Sequence, residues 1–174
     1  MGFARIFASV FAALLCFIAT PATAQPVEYL LDDGSAENSL GLSAGGDIWW
    51  ANAFTVQPGS ETITNIRIAF WSSNLVMGAP FSVHVYEDPD DDGNPSTGPL
   101  QLVASASATV TDPTGASFQD IAIGPATVSG GFFVAALMTH PGGSYPATFD
   151  QSASASSSWL AGALAAVIDP GEGS

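Results

Sequence analysis

Residues 66–71 read Ile-Arg-Ile-Ala-Phe-Trp, and residues 81–86 read Phe-Ser-Val-His-Val-Tyr. In both stretches a large apolar side chain occupies every second position, the spacing that places such side chains on one face of a β-strand. Each strand would bury one face and leave the other face for polar residues. The two stretches therefore predict layered antiparallel sheets and exclude amphipathic helices at these positions.

Similar short apolar stretches recur along the chain between Gly, Pro, Asn and Asp residues, as is typical of an all-β domain. The predicted strands, in chain order, are Val27–Leu31, Ile48–Val56, Ile63–Trp71, Phe81–Glu87, Leu100–Thr111, Phe118–Ile123, Gly131–Thr139, Ala147–Gln151 and Ser158–Ala161, with Ala165–Asp169 as an alternative extension of the last. We predict an all-β fold, a single jelly-roll-like antiparallel β-sandwich of about eight or nine strands.

Residues 130–138 differ from the other stretches because they are apolar on both strand faces. Such a strand is either central and covered on both sides, or its outer face holds a ligand or a partner. The covered central strand is the favoured interpretation.

The first 24 residues have the three parts of a secretory signal peptide. Arg5 precedes an apolar run over residues 6–19, and the small residues at 22–24 form an A-x-A cleavage site. Cleavage is predicted between Ala24 and Gln25. An uncleaved membrane anchor is the alternative, but the run has 14 residues, and a span needs roughly 20. The protein is therefore expected to be secreted or periplasmic, with residues 25–174 as one domain.

Removal of the signal peptide also removes Cys16, the chain's one cysteine, so neither a disulfide nor a thiolate nucleophile is expected in the mature protein. All 16 acidic residues remain, against Arg67 as the one remaining base. Nucleic acid and anionic membranes are excluded as partners, since both require a basic patch. The charge suits divalent cations, or else serves solubility.

The clearest chemical motif is the stretch 86–99, Tyr-Glu-Asp-Pro-Asp-Asp-Asp-Gly-Asn-Pro-Ser-Thr-Gly-Pro, between two predicted strands. Numbered from Asp88, carboxylates fall at positions 1, 3 and 5, namely Asp88, Asp90 and Asp92. Gly93 follows at position 6, where a calcium loop turns sharply. Three carboxylates this close repel one another without a cation. The alternative is a solvated hairpin of ordinary turn-forming residues.

This motif resembles the first half of the calcium loops of EF-hand, dockerin and thrombospondin type 3 proteins. The resemblance implies that Asn94 offers its backbone carbonyl at position 7 and that Ser96 holds a water at position 9. Position 12 departs from the pattern, because Pro99 stands where those loops have a bidentate Glu. Coordination would need water or another acid, and the candidates are Glu87, Asp91 and Asp112. The cofactor prediction is Ca²⁺, bound weakly.

Aromatic side chains are a second candidate binding feature, because sugar rings stack on Trp and Tyr faces. Adjacent Trp49 and Trp50 must point to opposite faces of a strand, so one is expected in the core and the other exposed or at a sheet edge. Trp71 and Tyr86 fall on the faces opposite the apolar rows quoted above. Trp71, Tyr86 and Trp49 are therefore the candidate ligand-binding residues, with ordinary packing as the alternative.

Evidence for catalysis is poor. The sequence contains no G-x-S-x-G, no H-E-x-x-H and no P-loop, and His84 and His140 lie far apart. A second acidic stretch, residues 30–50, matches no metal motif. No catalytic residue is predicted, although a hydrolase built on two carboxylates has no fixed spacing and stays open.

With these motifs in view, residues 27–161 resemble uncharacterised secreted bacterial β-sandwich domains, a resemblance that implies location and fold more than activity. The leading hypothesis is an acidic, non-catalytic binding or adhesion module stabilised by calcium, with a glycan or an extracellular protein as partner and no membrane insertion of the mature chain. A carbohydrate-binding module is the second hypothesis, and a carboxylate-based hydrolase the third.

Overall fold

The computed structural model describes residues 27–31, 38–72, 74–149 and 157–162. The signal peptide, its predicted cleavage site between Ala24 and Gln25, and the possible strand over 165–169 lie outside these residues. So do the acidic residues of the second acidic stretch up to position 37, namely Asp32, Asp33 and Glu37.

The described residues form nine strands. They are β1 (Asn38–Leu40), β2 (Gly45–Thr55), β3 (Thr62–Ile68), β4 (Pro80–Asp88), β5 (Gln101–Thr109), β6 (Gln119–Thr127), β7 (Gly131–Pro141), β8 (Ala147–Phe149) and β9 (Ser158–Gly162). None of the described residues is in an α-helix.

The nine strands form three antiparallel sheets. The largest has five strands in the order β5-β4-β7-β2-β9, and β3 pairs with β6, and β1 with β8, in two-stranded sheets. One face of the five-stranded sheet packs on β3 and β6, so that a single apolar core lies between the layers. The predicted all-β, antiparallel sandwich is confirmed.

The core follows from the alternation that predicted the strands. Ile66 and Ile68 of β3 meet Phe81, Val83 and Val85 of β4, and all five are buried. Beyond β3, Phe70 lies edge-on to Phe81, with 4.8 Å between ring centroids. Burial of each such side chain stabilises the fold by roughly 1.5–3 kcal/mol.

Strand β7 is central, between β4 and β2, and both of its faces are covered, as its sequence predicted. Phe132 and Met138 point into the main core. Phe133 and Ala135 point the other way, into a second apolar cluster on the outer face of the five-stranded sheet. We call this second group of residues the outer cluster: Trp49, Ala51, Tyr86, Leu100, Phe133 and Ala135, all buried.

The strand predicted over 27–31 is wrong, because this segment has no regular structure. Its position is fixed by side chains instead. The Tyr29 hydroxyl donates to the Ser60 carbonyl (3.0 Å) and accepts from the Gln57 N–H (2.9 Å). Its ring lies edge-on to Phe132, with centroids 5.1 Å apart.

Arg67 fastens the same segment to the second layer. Its guanidinium contacts Glu28 at 2.8 Å and Asp120 of β6 at 3.1 Å. All three side chains are about half exposed, so these ion pairs add little to the free energy of unfolding.

Strand direction gives the sandwich two distinct ends. The turns at 56–61, 89–100 and 128–130 share one end, which we call the aspartate end. The turns at 69–79, 110–118 and 142–146 share the other, the tryptophan end. Strand β4 runs from the tryptophan end to the aspartate end and delivers Asp88 there.

Candidate metal centre

The candidate metal centre is the loop between β4 and β5. Asp88 is the last residue of β4 and is buried, whereas Asp90 and Asp92 are exposed. One carboxylate oxygen of each residue lies within 4.8 Å of the others. The structure thus brings the three sequence-predicted carboxylates together into a group that could hold a metal ion.

The backbone of the loop turns back on itself to achieve this. The Asp91 N–H donates to the Asp88 carbonyl at 3.0 Å. Asp91 and Gly93 both have positive φ, 55° and 68°. The Gly93 N–H then donates to Asp88 Oδ2 at 2.7 Å, so the predicted turn glycine also supplies a backbone hydrogen bond to the Asp88 carboxylate.

The charge on Asp88 is poorly stabilised by its surroundings. Burial raises the pKa of the Asp88 carboxyl, and the contact with Asp90 and the negative charge of Asp92 raise it further. The Gly93 N–H opposes these effects. A bound cation would reverse this balance, because an opposite charge at close range favours the ionised form.

Asn94 and Ser96, the other two predicted ligands, lie in the second half of the loop. The Asn94 N–H donates to Asp92 Oδ1 (2.8 Å), and the Ser96 N–H donates to Asn94 Oδ1 (3.0 Å). The Asn94 carbonyl accepts from Thr97 Oγ1 at 3.0 Å, and Thr97 Oγ1 also contacts Asp92 Oδ2. These bonds shape the loop, and neither Asn94 nor Ser96 belongs to the carboxylate group.

The three acids considered as replacements for Pro99 point in three directions. Glu87 accepts from the N–H and hydroxyl of Ser129, both at 3.0 Å. The Asp91 carboxylate lies against Gly130 and Gly131. Asp112 is bonded within its own turn, to Thr114 and Ser117. Asp91 shares a neighbour with the carboxylate group, since Asp88 Oδ2 approaches the same Gly131.

A groove of about 550 Å³ adjoins this loop at the aspartate end. Its lining includes Glu28 and Tyr29 of the N-terminal segment, Phe54 of β2, Asp91 of the loop between β4 and β5, and Gly131 at the start of β7. Glu28 is held in its ion pair with Arg67. The groove thus connects the loop between β4 and β5 to the segment that contains Tyr29.

The three aromatic candidates do not form one platform. Trp71 is 42 % exposed and lies at the tryptophan end, where it bridges to Thr114. Tyr86 and Trp49 are only 4 % and 6 % exposed, in the outer cluster. The expectation that Tyr86 offers a surface ring is therefore wrong, because Phe133 stands opposite it on β7 and joins it in that cluster.

Trp49 and Trp50 do point to opposite faces of β2, as predicted. The further expectation that one of them is exposed or lies at a sheet edge is wrong. Strand β2 is internal, Trp49 is buried in the outer cluster and Trp50 is half-buried against the main core.

A buried His–Ser pair at the tryptophan end was not predicted. His140 Nδ1 lies 3.0 Å from Ser144 Oγ, and the Leu42 N–H donates to His140 Nε2 at 3.2 Å. Ser144 is fully buried, so its hydroxyl cannot meet a substrate. The i, i+4 spacing was visible in the sequence, but only the fold shows that the pair holds two loops together.

Comparison with protein-family models, curated proteins and solved structures finds no match for this chain. Within the described residues, no helix is long and apolar enough to cross a membrane. Functional conclusions therefore depend on the geometry of the site alone.

Proposed function

We propose that this protein is an exported, non-catalytic β-sandwich module for binding or adhesion, and that Ca²⁺ stabilises its loop between β4 and β5. The observation that carries the calcium proposal is the convergence of Asp88, Asp90 and Asp92. One of these carboxylates, Asp88, is buried beside two others and receives a backbone hydrogen bond from Gly93. A cation is the simplest way to relieve that repulsion.

Calcium suits the loop better than magnesium does. Ca²⁺ accepts six to eight oxygens in flexible geometry and tolerates several waters, whereas Mg²⁺ demands a near-ideal octahedron. Asp90 and Asp92 lie on an exposed loop and can adjust to the larger ion. With three carboxylates and water as ligands, the dissociation constant is expected to be on the order of 10⁻⁴ to 10⁻³ M, as in extracellular modules.

Isothermal titration of the purified protein with CaCl₂ tests this proposal. We expect binding heat at millimolar calcium, and a higher melting temperature in calcium than in a chelator. Both effects should be lost when the two exposed ligands are removed together, Asp90→Ala with Asp92→Ala, a change that leaves the core intact. Asp120→Asn, an exposed acid on the other sheet, is the matched control. Absence of heat at millimolar calcium would rule the site out.

The export part of the proposal is supported by the sequence alone and needs its own test. Mass spectrometry of protein recovered from the periplasm or the medium should find Gln25 at the N-terminus. An intact Met1 would contradict it.

Carbohydrate binding is the second candidate function, favoured by the exposed ring of Trp71. Tyr145, 38 % exposed, lies at the same end, where its N–H donates to the hydroxyl of Ser72 beside Trp71. A glycan array should then show binding that Trp71→Ala abolishes. Leu102→Ala, an exposed apolar residue on β5, is the control. Equal binding by both variants would exclude Trp71 as a platform.

The carboxylate hydrolase remains the third candidate. The groove at the aspartate end is lined by Glu28 and Asp91, but the ion pair between Glu28 and Arg67 favours a structural role for that acid.

A further inference from the structure

Strand β5 is an edge of the five-stranded sheet. Among the described strands it has one hydrogen-bonded neighbour, β4, whereas β4, β7 and β2 have two each. An edge strand presents a row of unpaired backbone N–H and C=O groups, to which another extended strand can bond. The side of β5 that faces away from β4 is therefore a surface to which a further strand can add.

The residue that follows β5 shows which backbone groups face that side. The Val110 N–H donates to the Ala79 carbonyl at 2.9 Å, and the Val110 carbonyl accepts from the Gly78 N–H at 2.8 Å. Both backbone groups of Val110 thus point toward the β4 side. Because this direction alternates along a strand, the N–H and C=O groups of Ser105 and Ser107 point away from β4. Both serines are exposed.

Gln119, at the start of β6, occupies the part of this side that is nearest the tryptophan end. Its Nε2 donates to the Thr109 carbonyl at 2.8 Å, and its Oε1 accepts from the Thr111 N–H at 3.0 Å. These two bonds agree with the alternation, since they reach odd-numbered residues. The section of β5 that remains for a further strand is 104–108, which begins after the register shift at Val103.

The sheet of β3 and β6 has features that usually protect strand edges, and this section of β5 lacks them. Strand β6 contains Asp120 and Pro125, and β3 contains Arg67 and pairs with β6 in an irregular register. Charges, prolines and bulges of this kind hinder pairing with another chain. Residues 104–108 read Ala-Ser-Ala-Ser-Ala, without a charge, a proline or a bulky side chain. This section therefore remains able to pair.

We propose that β5 is the docking edge for a second copy of the chain, and that two β5 strands pair antiparallel about a two-fold axis. Ser105 of one copy lies opposite Ser107 of the other, and these residues exchange about four main-chain hydrogen bonds. The two five-stranded sheets then form one continuous sheet. The short Ala and Ser side chains allow the two edges to approach.

The distribution of charge favours this contact and sets its direction. The chain has a formal net charge of −14, so two copies repel one another unless they meet at an uncharged surface. Strand β5 runs from the aspartate end to the tryptophan end, so antiparallel pairing places the two acidic loops at opposite ends of the shared edge. A strand of this length separates them by roughly 30 Å, several times the Debye length. Parallel pairing would put the two loops side by side.

Sedimentation velocity of the purified protein tests the proposal. One pair of strands makes a small, weak interface, so the mass should rise from that of a monomer toward twice that value between about 10 µM and about 1 mM. Ser105→Pro removes an outward N–H and leaves the bonds to β4, so it should weaken dimerisation at least about tenfold. Ser105→Ala keeps the N–H and is the matched control, which should dimerise like the wild type.

Hydrogen exchange of the wild type gives a second readout that needs no variant. The amides of Ser105 and Ser107 should exchange about threefold faster at about 50 µM than at about 1 mM, because the dimer protects them. The amides of Ala104 and Ala106, which point toward β4, should exchange slowly at both concentrations.

Three results would overturn the proposal. The first is a monomer at about 1 mM. The second is a dimer that Ser105→Pro leaves intact, which would place the contact elsewhere, for example at the exposed Trp71. The third is exchange of Ser105 and Ser107 that does not change with concentration, which would exclude β5 as the contact. If Ser105→Pro fails to fold, the exchange experiment still decides.

Discussion

The sandwich contains two acidic turns that satisfy their carboxylates in different ways. In the turn after β5, Asp112 Oδ1 accepts from the N–H (2.8 Å) and hydroxyl (2.5 Å) of Thr114, and Oδ2 accepts from the Ser117 hydroxyl (2.9 Å). These hydrogen bonds, from the Thr114 hydroxyl first, hold the pKa of Asp112 below its usual range. This turn therefore stabilises its own charge.

The turn after β4 has three carboxylates in its acidic group and shares its donors unevenly among them. Asp92 accepts from the Asn94 N–H and the Thr97 hydroxyl. The buried Asp88 carboxylate receives the Gly93 N–H and lies beside Asp90 and Asp92. The two turns therefore differ both in the number of acids and in the donors available to each, and we expect a cation to stabilise the turn after β4 more than the turn after β5.

The largest expected effect on the free energy of unfolding comes from replacing the glycine in each of the two turns. Gly115 and Gly93 have similar φ, 77° and 68°. A Cβ on Gly115 would lie 3.0 Å from the Cβ of Trp71, whereas a Cβ on Gly93 would meet nothing within 4 Å. Gly115→Ala should therefore lower the free energy of unfolding by about 2–3 kcal/mol, and Gly93→Ala by about 1 kcal/mol. Urea unfolding in chelator measures both, and equal losses would contradict this account.

A smaller effect on stability is expected from Asp88→Asn, and its sign should change when calcium is added. Asp88→Asn keeps an oxygen for the Gly93 N–H but removes the buried charge. Without calcium the variant should be more stable than the wild type, because the repulsion from Asp90 and Asp92 is gone. At calcium tenfold above the dissociation constant the wild type gains about 1.4 kcal/mol, and the variant should gain much less.

Thermal melts of both proteins, with calcium and with chelator, would show this reversal in their order of stability. If Asp88→Asn is the less stable protein in chelator as well, the carboxylate is not under electrostatic strain.

The smallest effect concerns how the turn that contains Asp112 responds to acid pH. Because the pKa of folded Asp112 is lowered, its contribution to stability is present above the unfolded value of about 3.9 and is lost as pH falls through the lower folded value. Asp112→Asn should therefore melt slightly below the wild type at pH 7. The gap should close at the acid end of a pH series, and a gap that widens there would refute the assignment.

The sequence predicted the strands whose apolar alternation is unbroken, such as β3 and β4, because side-chain direction along a strand follows directly from spacing. It missed β1, whose three residues have no pattern and are held by pairing with β8, more than a hundred positions away. It mistook 27–31 for a strand because four of its five residues, all but Glu28, are apolar, whereas that segment is fixed by contacts of Tyr29 to Gln57 and Ser60.

The candidate site could be predicted from the sequence to about the same extent as the strands. Spacing placed Asp88, Asp90 and Asp92 on one loop, and the fold brings them together. The directions of Glu87 and Asp91 were not predictable, because they depend on Ser129, in the turn between β6 and β7, and on Gly131 at the start of β7. The burial of Tyr86 depends in the same way on Phe133, a partner from another strand.

The ion pairs of Arg67 have a consequence for resistance to proteases. Past residue 24 the sequence contains no lysine and no other arginine, so the Arg67–Ile68 bond is the only one there that a trypsin-like protease can cut. That bond lies within β3, paired with β6, while the guanidinium is engaged by Glu28 and Asp120. Cleavage requires that the strand first open. The folded protein should consequently pass intact through trypsin-like digestion, and denaturation should yield two large fragments.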